Sequence, residues 1–384
     1  MIGRRIPTDS NTIKLMPTFN RASKAYNANL NTLVDNDIPR FGYNGTGLLI
    51  EEATTNLYKN KTFYPTYNTA NGYTTITAES ISDTYGSSSI EKITVTAGTS
   101  QSGYESYRAC ATVTANAVYT LSFKVKVISG SIDNVYTHIF GENYSYDAVI
   151  KTALSDGWYL VTFSFTQNSS TTNNNGVGFN GAVNGVYYIT EIQLEQKSYP
   201  TSYIDSTRSN ETLKISDHIF NYIDKKITIE LNAIVLNTTS KRYLFDGRLS
   251  SFSCLLDFNI INNNAVLQIE YYNTAANGYL NTKTSYTLSD SNIHKYMLTY
   301  DYETNTINVY VDNINVLTKA ITIESYSVPT VFCIANSQLE TEPLHGYISN
   351  FKISNVIRTP DNNIDKDYNT IYYLPLKDSL NPKI

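Results

Sequence analysis

The stretch that decides the fold is Tyr119-Thr-Leu-Ser-Phe-Lys-Val-Lys-Val127. Tyr119, Leu121, Phe123, Val125 and Val127 are apolar, and Thr120, Ser122, Lys124 and Lys126 between them are polar. Successive side chains point to opposite faces of a strand, so this is a half-buried β-strand with one wet face. Tyr159, Val161, Phe163 and Phe165 repeat the pattern against Leu160, Thr162 and Ser164. So do Ile307, Val309 and Val311 against Asn308, Tyr310 and Asp312, and Tyr296, Leu298 and Tyr300 against Lys295, Met297 and Thr299. Turn clusters separate such runs: Ser129-Gly130-Ser131, Ser155-Asp156-Gly157, and a tract of Asn, Ser, Thr and Gly over 168–178.

Composition agrees. The 384 residues include 33 Tyr, 43 Asn and a single Trp, and only 16% are charged, against roughly 25% for an average domain. Tyr and Asn are weak helix formers, whereas Tyr and Thr suit strands and Asn suits turns. The length predicts about two to three domains. The expected architecture is all-β, with two antiparallel β-sandwich (jelly-roll) domains in tandem. Residues 1–47 read as an extended leader for assembly or docking, 48–205 as the first sandwich, 206–212 as a linker and 213–384 as the second sandwich.

Several function classes drop out. No run approaches the roughly 18 apolar residues of a membrane helix. A net charge of -5, with Lys225-Lys226 and Lys241-Arg242 as isolated pairs, offers no cationic patch for nucleic acid. Cys110, Cys254 and Cys333 are far apart and odd in number, which gives neither a disulfide framework nor a metal knuckle. Cys110 and Cys333 read as small buried hydrophobes. The start, Met1-Ile-Gly-Arg-Arg-Ile-Pro-Thr, has no apolar run behind its basic residues and does not read as a secretory signal.

The segment 38–58, Ile-Pro-Arg-Phe-Gly-Tyr-Asn-Gly-Thr-Gly-Leu-Leu-Ile-Glu-Glu-Ala-Thr-Thr-Asn-Leu-Tyr, resembles one found in many tailed-bacteriophage tail and fibre proteins. Phe19-Asn20-Arg21-Ala22-Ser23 looks like its usual opening. Ile192-Gln193-Leu194-Glu195 with Tyr199-Pro200-Thr201-Ser202-Tyr203-Ile204 is similar to the closing strand of the same proteins. Asp156-Gly157-Trp158-Tyr159 resembles the turn-into-strand signature of carbohydrate-binding-module-like jelly rolls. The second half is similar to laminin-G or concanavalin-A-like sandwiches, through His294–Asp301, Ile307–Asp312 and Gly346–Ile353. That family usually has Asp-Gly at the tight turn. Here Asp312-Asn313 stands there, and Asn also tolerates positive φ.

The resemblance implies a virion tail protein made in the bacterial cytoplasm and leaving the cell in the particle. Its expected task is glycan adhesion without catalysis, and its expected partners are bacterial surface glycans and other tail or baseplate proteins. Weak sites gain avidity from copies on one particle, so a homo-oligomer, with a trimer favoured, is expected. A purely structural tail component and a glycan depolymerase are the alternatives.

Sugar sites use rings that stack and hydroxyls that hydrogen-bond. The candidates in the first sandwich are Tyr104, Tyr107, Tyr136, Phe140, Tyr144, Tyr146 and Trp158. In the second they are Tyr243, Asp246, Arg248, Tyr271, Tyr272, Tyr279 and Tyr286. Trp158 falls on the outward register but also reads as a strand-start packing residue. His138, His218, His294 and His345 are scattered without ligand spacing, and His294 reads as a packing residue. No cofactor is expected, and a structural Ca2+ is not readable. Glu340 and Glu342 share a strand-like face and are the carboxylates a depolymerase would use. Glu51-Glu52 reads as structural.

Overall fold

The computed structural model describes residues 16–27, 33–42, 46–58, 75–98, 104–105, 113–138, 149–168, 176–216, 219, 225–236, 241–247, 255–261, 264–273, 278–321, 332–337, 339–362, 364, 367, 369–377 and 380. At 104–105, 138, 255–261, 264, 271–273 and 278–279 only the backbone is described. The protein is all-β and folds as two compact units.

One unit comprises Ala25–Leu33 and Thr54–Arg208. Its larger sheet has six antiparallel strands in the order Ile150–Ala153, Trp158–Thr166, Val118–Ser129, Gly185–Glu195, Ser88–Thr96, Thr75–Tyr85. A second sheet orders Val135–His138, Gly176–Phe179, Tyr104–Glu105. The apolar register of the central strand faces inward, and Tyr119, Leu121, Phe123 and Val125 pack with Val161, Ile189, Val135 and Phe179. Tyr136 is buried on the face opposite Val135, and a Cβ on Gly178 opposite would lie 2.3 Å from its ring. Glycine is therefore required there by close approach. Asp156 (φ 57) and Gly157 (φ 77) turn the chain into Trp158, and both occupy the left-handed region.

The other unit comprises Met1–Lys24, Val34–Ala53 and Ser209–Ile384. Among its described residues, one sheet orders Thr18–Asn20, Thr212–Ile215, Phe332–Ile334, Arg242–Asp246, Leu255–Ile261, Asn264–Asn273, Gly278–Thr287. The facing sheet orders Ile314–Ala320, Thr306–Val311, His294–Asp301, Lys226–Val235, Gly346–Ser354, Leu48–Ile50, Arg40–Phe41, and Thr370–Leu374 also pairs with Gly346–Ser354. Residues of both sheets share one core. Asp312 (φ 48) and Asn313 (φ 68) both take positive φ between the paired residues Val311 and Ile314, the two-residue geometry that matches strand twist. Cys333 is buried on the face opposite the core residues Phe332 and Ile334, and this burial pushes its thiol up to about 12.

The domain boundaries differ from the sequence reading in two places. The leader expected over 1–47 is not free where it is described. Phe19 pairs with Leu213, and Arg40 and Leu48 lie in ladders of the second sandwich. Phe19, Leu48 and Ile50 are core residues there. Apolar pairing partners more than 150 residues ahead in sequence leave no local signal. The linker expected over 206–212 contains Arg208, Glu211 and Thr212, all buried, and Thr207–Arg208 pairs with Thr54–Thr55. Its polar composition reflects buried charge pairing, not solvation. No helix among the described residues is long and apolar enough to cross a membrane.

Candidate functional site

The tail-like segments come together in two buried polar clusters. In the sandwich that holds 209–384, Glu211 is the hub. Its Oε1 accepts from Arg21 Nη1 (2.9 Å) and Arg40 Nε (2.8 Å). Its Oε2 accepts from Arg40 Nη2 (2.6 Å) and from the Glu51 backbone N–H (2.8 Å). Arg40 also donates to Glu51 Oε2 at 2.7 Å. Arg21, Arg40 and Glu211 are 0% exposed. Burial would pull the Arg40 guanidinium down, but Glu211 and Glu51 outweigh it and hold it above its ordinary value.

In the other unit, Asn56 donates to the carbonyls of Ile192 and Ile204, and its side-chain oxygen accepts from the N–H groups of Leu194 and Tyr58. Glu195 accepts from Thr54 Oγ1 (2.5 Å), Gln193 Nε2 (2.6 Å), and the Thr201 N–H (2.9 Å) and Oγ1 (2.7 Å). Buried polar groups are tolerated when satisfied in this way. Arg21, Arg40, Glu51, Thr54, Asn56, Gln193, Glu195 and Thr201 of the segments that carry the resemblance are thus internal fastenings.

The candidate rings divide into three groups. Tyr107, Phe140, Tyr144, Tyr146 and Arg248 lie outside the described residues. Tyr104, Tyr271, Tyr272 and Tyr279 are placed in strands by their backbone alone. The rest have described side chains. Tyr136 is 1% exposed, and Tyr243 and Asp246 are fully buried. Each sits in a strand and is buried on the face opposite the core residues Val135 and Phe245 of the same strands. Trp158 lies on the outward face, as its register implies, yet is 6% exposed because Tyr85 covers it with ring centroids 4.6 Å apart.

Tyr286 is half-buried beside His294, ring centroids 6.1 Å apart. His294 Nδ1 meets Asp312 Oδ2 at 2.6 Å and its Nε2 meets Asp290 Oδ1 at 2.9 Å. Partial burial pulls the imidazole down, but the hydrogen bonds to Asp312 and Asp290 outweigh it and leave its pKa raised. A raised folded-state pKa stabilises below the ordinary imidazole value and is lost as pH rises through the raised one. Between pH of about 6 and about 8, the full chain is therefore expected to lose more Tm than a His294→Asn variant does. Equal pH slopes in thermal melts would overturn this.

Glu340 is ion-paired with Lys214 and takes positive φ in a turn, and Glu342 offers its backbone N–H to Asn336 Oδ1. Among the described residues no cluster of His, Cys, Asp and Glu could hold a metal ion.

The most connected outward feature is a row across the six-stranded sheet. Strand registers place Trp158 beside Lys126, Lys126 beside Tyr188, Tyr188 beside Lys92, and Lys92 beside Glu79. Aromatic and cationic side chains alternate along it, and Lys126 and Tyr188 are half-buried. The next level along the strands is closed by the tip of the Thr75–Tyr85/Ser88–Thr96 hairpin. There Ser88 donates to Glu191 Oε1 (2.9 Å), Glu191 pairs with Lys124 (2.7 Å), and the Lys124 ammonium lies 4.5 Å from the Tyr85 ring centroid. Burial pushes the Glu191 carboxyl up against the opposing pull of Lys124 and Ser88. Sequence reading missed Tyr85, Lys92 and Tyr188. Lys126 was visible as a polar position, but only strand pairing puts these residues side by side.

No family model matches the sequence, and no curated protein matches it to a significant degree. Among solved structures, a candidate carbohydrate-binding protein from Bacteroides ovatus is 12% identical, over 86% of this chain and 90% of that one, with a TM-score of 0.35. The carbohydrate-binding module of the Ruminococcus gnavus IT-sialidase, bound to α2,3-sialyllactose, is 11% identical over 36% and 80%, with a TM-score of 0.28. Domains LG4-5 of the mouse laminin α1 chain are 12% identical over 76% and 92%, with a TM-score of 0.27. These likenesses are loose, and the β-sandwich architecture rests on this chain's own strand pairing.

Proposed function

We propose that this chain is a tail-associated adhesin of a tailed-phage particle, which recognises glycans on the bacterial surface by binding and not by cleavage. The observation that carries the reading is the convergence of the tail-like segments. Arg21, Arg40 and Glu51 meet at Glu211, and Thr54 and Asn56 meet the 192–204 closing segment, as one structural signature. The outward row through Tyr188 supports glycan recognition, since rings beside polar tips suit sugar faces and hydroxyls. The pairing of Glu340 with Lys214 leaves that carboxylate poorly placed for acid–base work. Multiple copies on a particle, a trimer in the simplest case, would multiply weak single-site affinity.

The test is an array of purified bacterial capsular, lipopolysaccharide and teichoic-acid polymers probed with the labelled full chain. Binding to at least one polymer, without new reducing ends after prolonged incubation, is expected. Silence across the array would favour a purely structural tail component. That second reading draws on the burial of Tyr136, Tyr243 and Asp246. New reducing ends would favour a depolymerase.

A further inference from the structure

We infer that the row Lys126–Tyr188–Lys92–Glu79 is the glycan-binding surface and that its ligand is an acidic polysaccharide; this rests on the adhesin reading and names its ligand class. The argument starts from charge. The chain as a whole is acidic, with a net charge of -5, yet this face carries three lysines within two adjacent levels. Two are matched: Lys92 by Glu79 at 2.6 Å and Lys124 by Glu191 at 2.7 Å. Lys126 meets no carboxylate among the described residues, although strands on both sides of it are described. The surface therefore holds one ammonium without a carboxylate partner among the described residues, between the outward ring of Tyr188 and the Trp158 ring that Tyr85 covers.

Geometry sets the kind of anion. Neighbouring strands lie about 4.8 Å apart, so Lys126 and Lys92, two strands apart with Tyr188 between them, are separated by roughly 10 Å. A sugar ring stacked on Tyr188 would present the acidic groups of its own or neighbouring sugars to an ammonium on either side. Glu79 is 61% exposed and holds Lys92 through a surface pair, which is weak and exchangeable. An incoming anion can therefore compete for Lys92. A neutral glycan would use the ring and leave Lys126 unanswered, whereas an acidic one uses both. The hairpin tip fixes the border of the surface: Tyr85 covers Trp158 and lies over the Lys124 ammonium, so a chain is directed from Lys126 across Tyr188 toward Lys92. A lysine ammonium is a point charge and accepts carboxylate or phosphate alike, so the shared chemistry is a repeating anionic sugar polymer.

The experiment measures binding of the full chain to polygalacturonate (carboxylate), a glycerol-phosphate teichoic acid (phosphate) and dextran (neutral) by calorimetry. The wild type, Lys126→Gln, Tyr188→Ala, Tyr188→Phe and Lys241→Gln are compared. Trp158 fluorescence and circular dichroism confirm the fold of each. Binding to at least one polyanion and not to dextran is expected. Lys126→Gln and Tyr188→Ala should each weaken it about five- to tenfold, while Tyr188→Phe and Lys241→Gln leave it within about twofold. Which polyanion binds tells carboxylate from phosphate. Dextran binding alone, or array binding without either polyanion, overturns the acidic ligand and spares the adhesin reading. Polyanion binding that Lys126→Gln leaves unchanged overturns the placement on this row. Failure here and across the whole array overturns both.

Discussion

Glu211→Gln is expected to cost the second sandwich about 3–5 kcal/mol, measured as a fall in the urea midpoint of the far-ultraviolet circular dichroism signal at unchanged slope. The size follows from what the carboxylate holds. Two fully buried guanidinium groups and a backbone N–H converge on its two oxygens, at 2.6–2.9 Å. A neutral amide would leave Arg21 and Arg40 facing each other with Glu51 as the remaining anion among these partners. It would also turn an N–H2 donor toward groups that are themselves donors. Uncompensated buried charge is among the most expensive defects a core can carry. Hydrogen bonds from Arg21 to the carbonyls of Ser23 and Asp35 remain and fix that side chain in place, so it cannot swing away to water at low cost. A loss below about 1 kcal/mol, the level of an exposed pair, would show that water enters the cluster and that the burial is not functional. Replacing Arg40 by Met is expected to fall in the same range, because it strands Glu211 and Glu51 beside one remaining arginine.

What could be read from the sequence was local. The alternation in Tyr119–Val127 fixes which face of that strand is inward, and the ring of Tyr119 is indeed buried with Leu121, Phe123 and Val125. The Asp312-Asn313 turn was legible because a two-residue hairpin needs positive φ at both positions, and Asp and Asn tolerate it. The polar clusters were not legible as clusters. Arg21 and Glu211 are 190 residues apart, and Asn56 and Ile192 are 136 apart. Each residue alone reads as an ordinary exposed polar side chain, and only the ladder that joins Phe19 to Leu213 brings the first pair together. Tyrosine was ambiguous for the same reason. Tyr187 and Tyr188 are chain neighbours, yet one is 1% exposed in the core and the other faces out. Period-two alternation says that they differ, but a run of Val-Tyr-Tyr-Ile does not say which is which. The decision comes from the partner strands, where Ile93 opposes Tyr187 and Lys92 opposes Tyr188.

A fragment of residues 213–384, the natural cut from composition, is expected to show no cooperative unfolding transition, whereas residues 16–384 are expected to unfold cooperatively. The fragment loses Phe19, Leu48 and Ile50 from its core. Each is worth about 1.5–3 kcal/mol when buried, so their loss alone removes about 5–9 kcal/mol, comparable to the whole stability of a typical domain. It also loses two strands that cover sheet backbone. Leu48–Ile50 pairs with Gly346–Ile348, and Thr18–Asn20 pairs with Thr212–Lys214. Without them, the N–H and C=O groups on one side of each partner strand are exposed, and such edges template aggregation. Glu211 and its two arginines are absent together, so the charge cluster itself leaves no orphan. The defect is therefore one of packing and edges, together with the loss of Glu52 from the buried Arg242. Adding residues 16–53 in trans as a synthetic peptide to a fragment lengthened to 209–384, which keeps Glu211 for Arg21 and Arg40, supplies the missing strands without a covalent link, and it is expected to restore a cooperative melt in proportion to peptide concentration. A cooperative melt of 213–384 alone, near the wild-type midpoint, would show that the N-terminal strands decorate a self-sufficient sandwich. A peptide carrying Phe19→Ala and Leu48→Ala should fail to rescue, which separates core burial from mere edge covering.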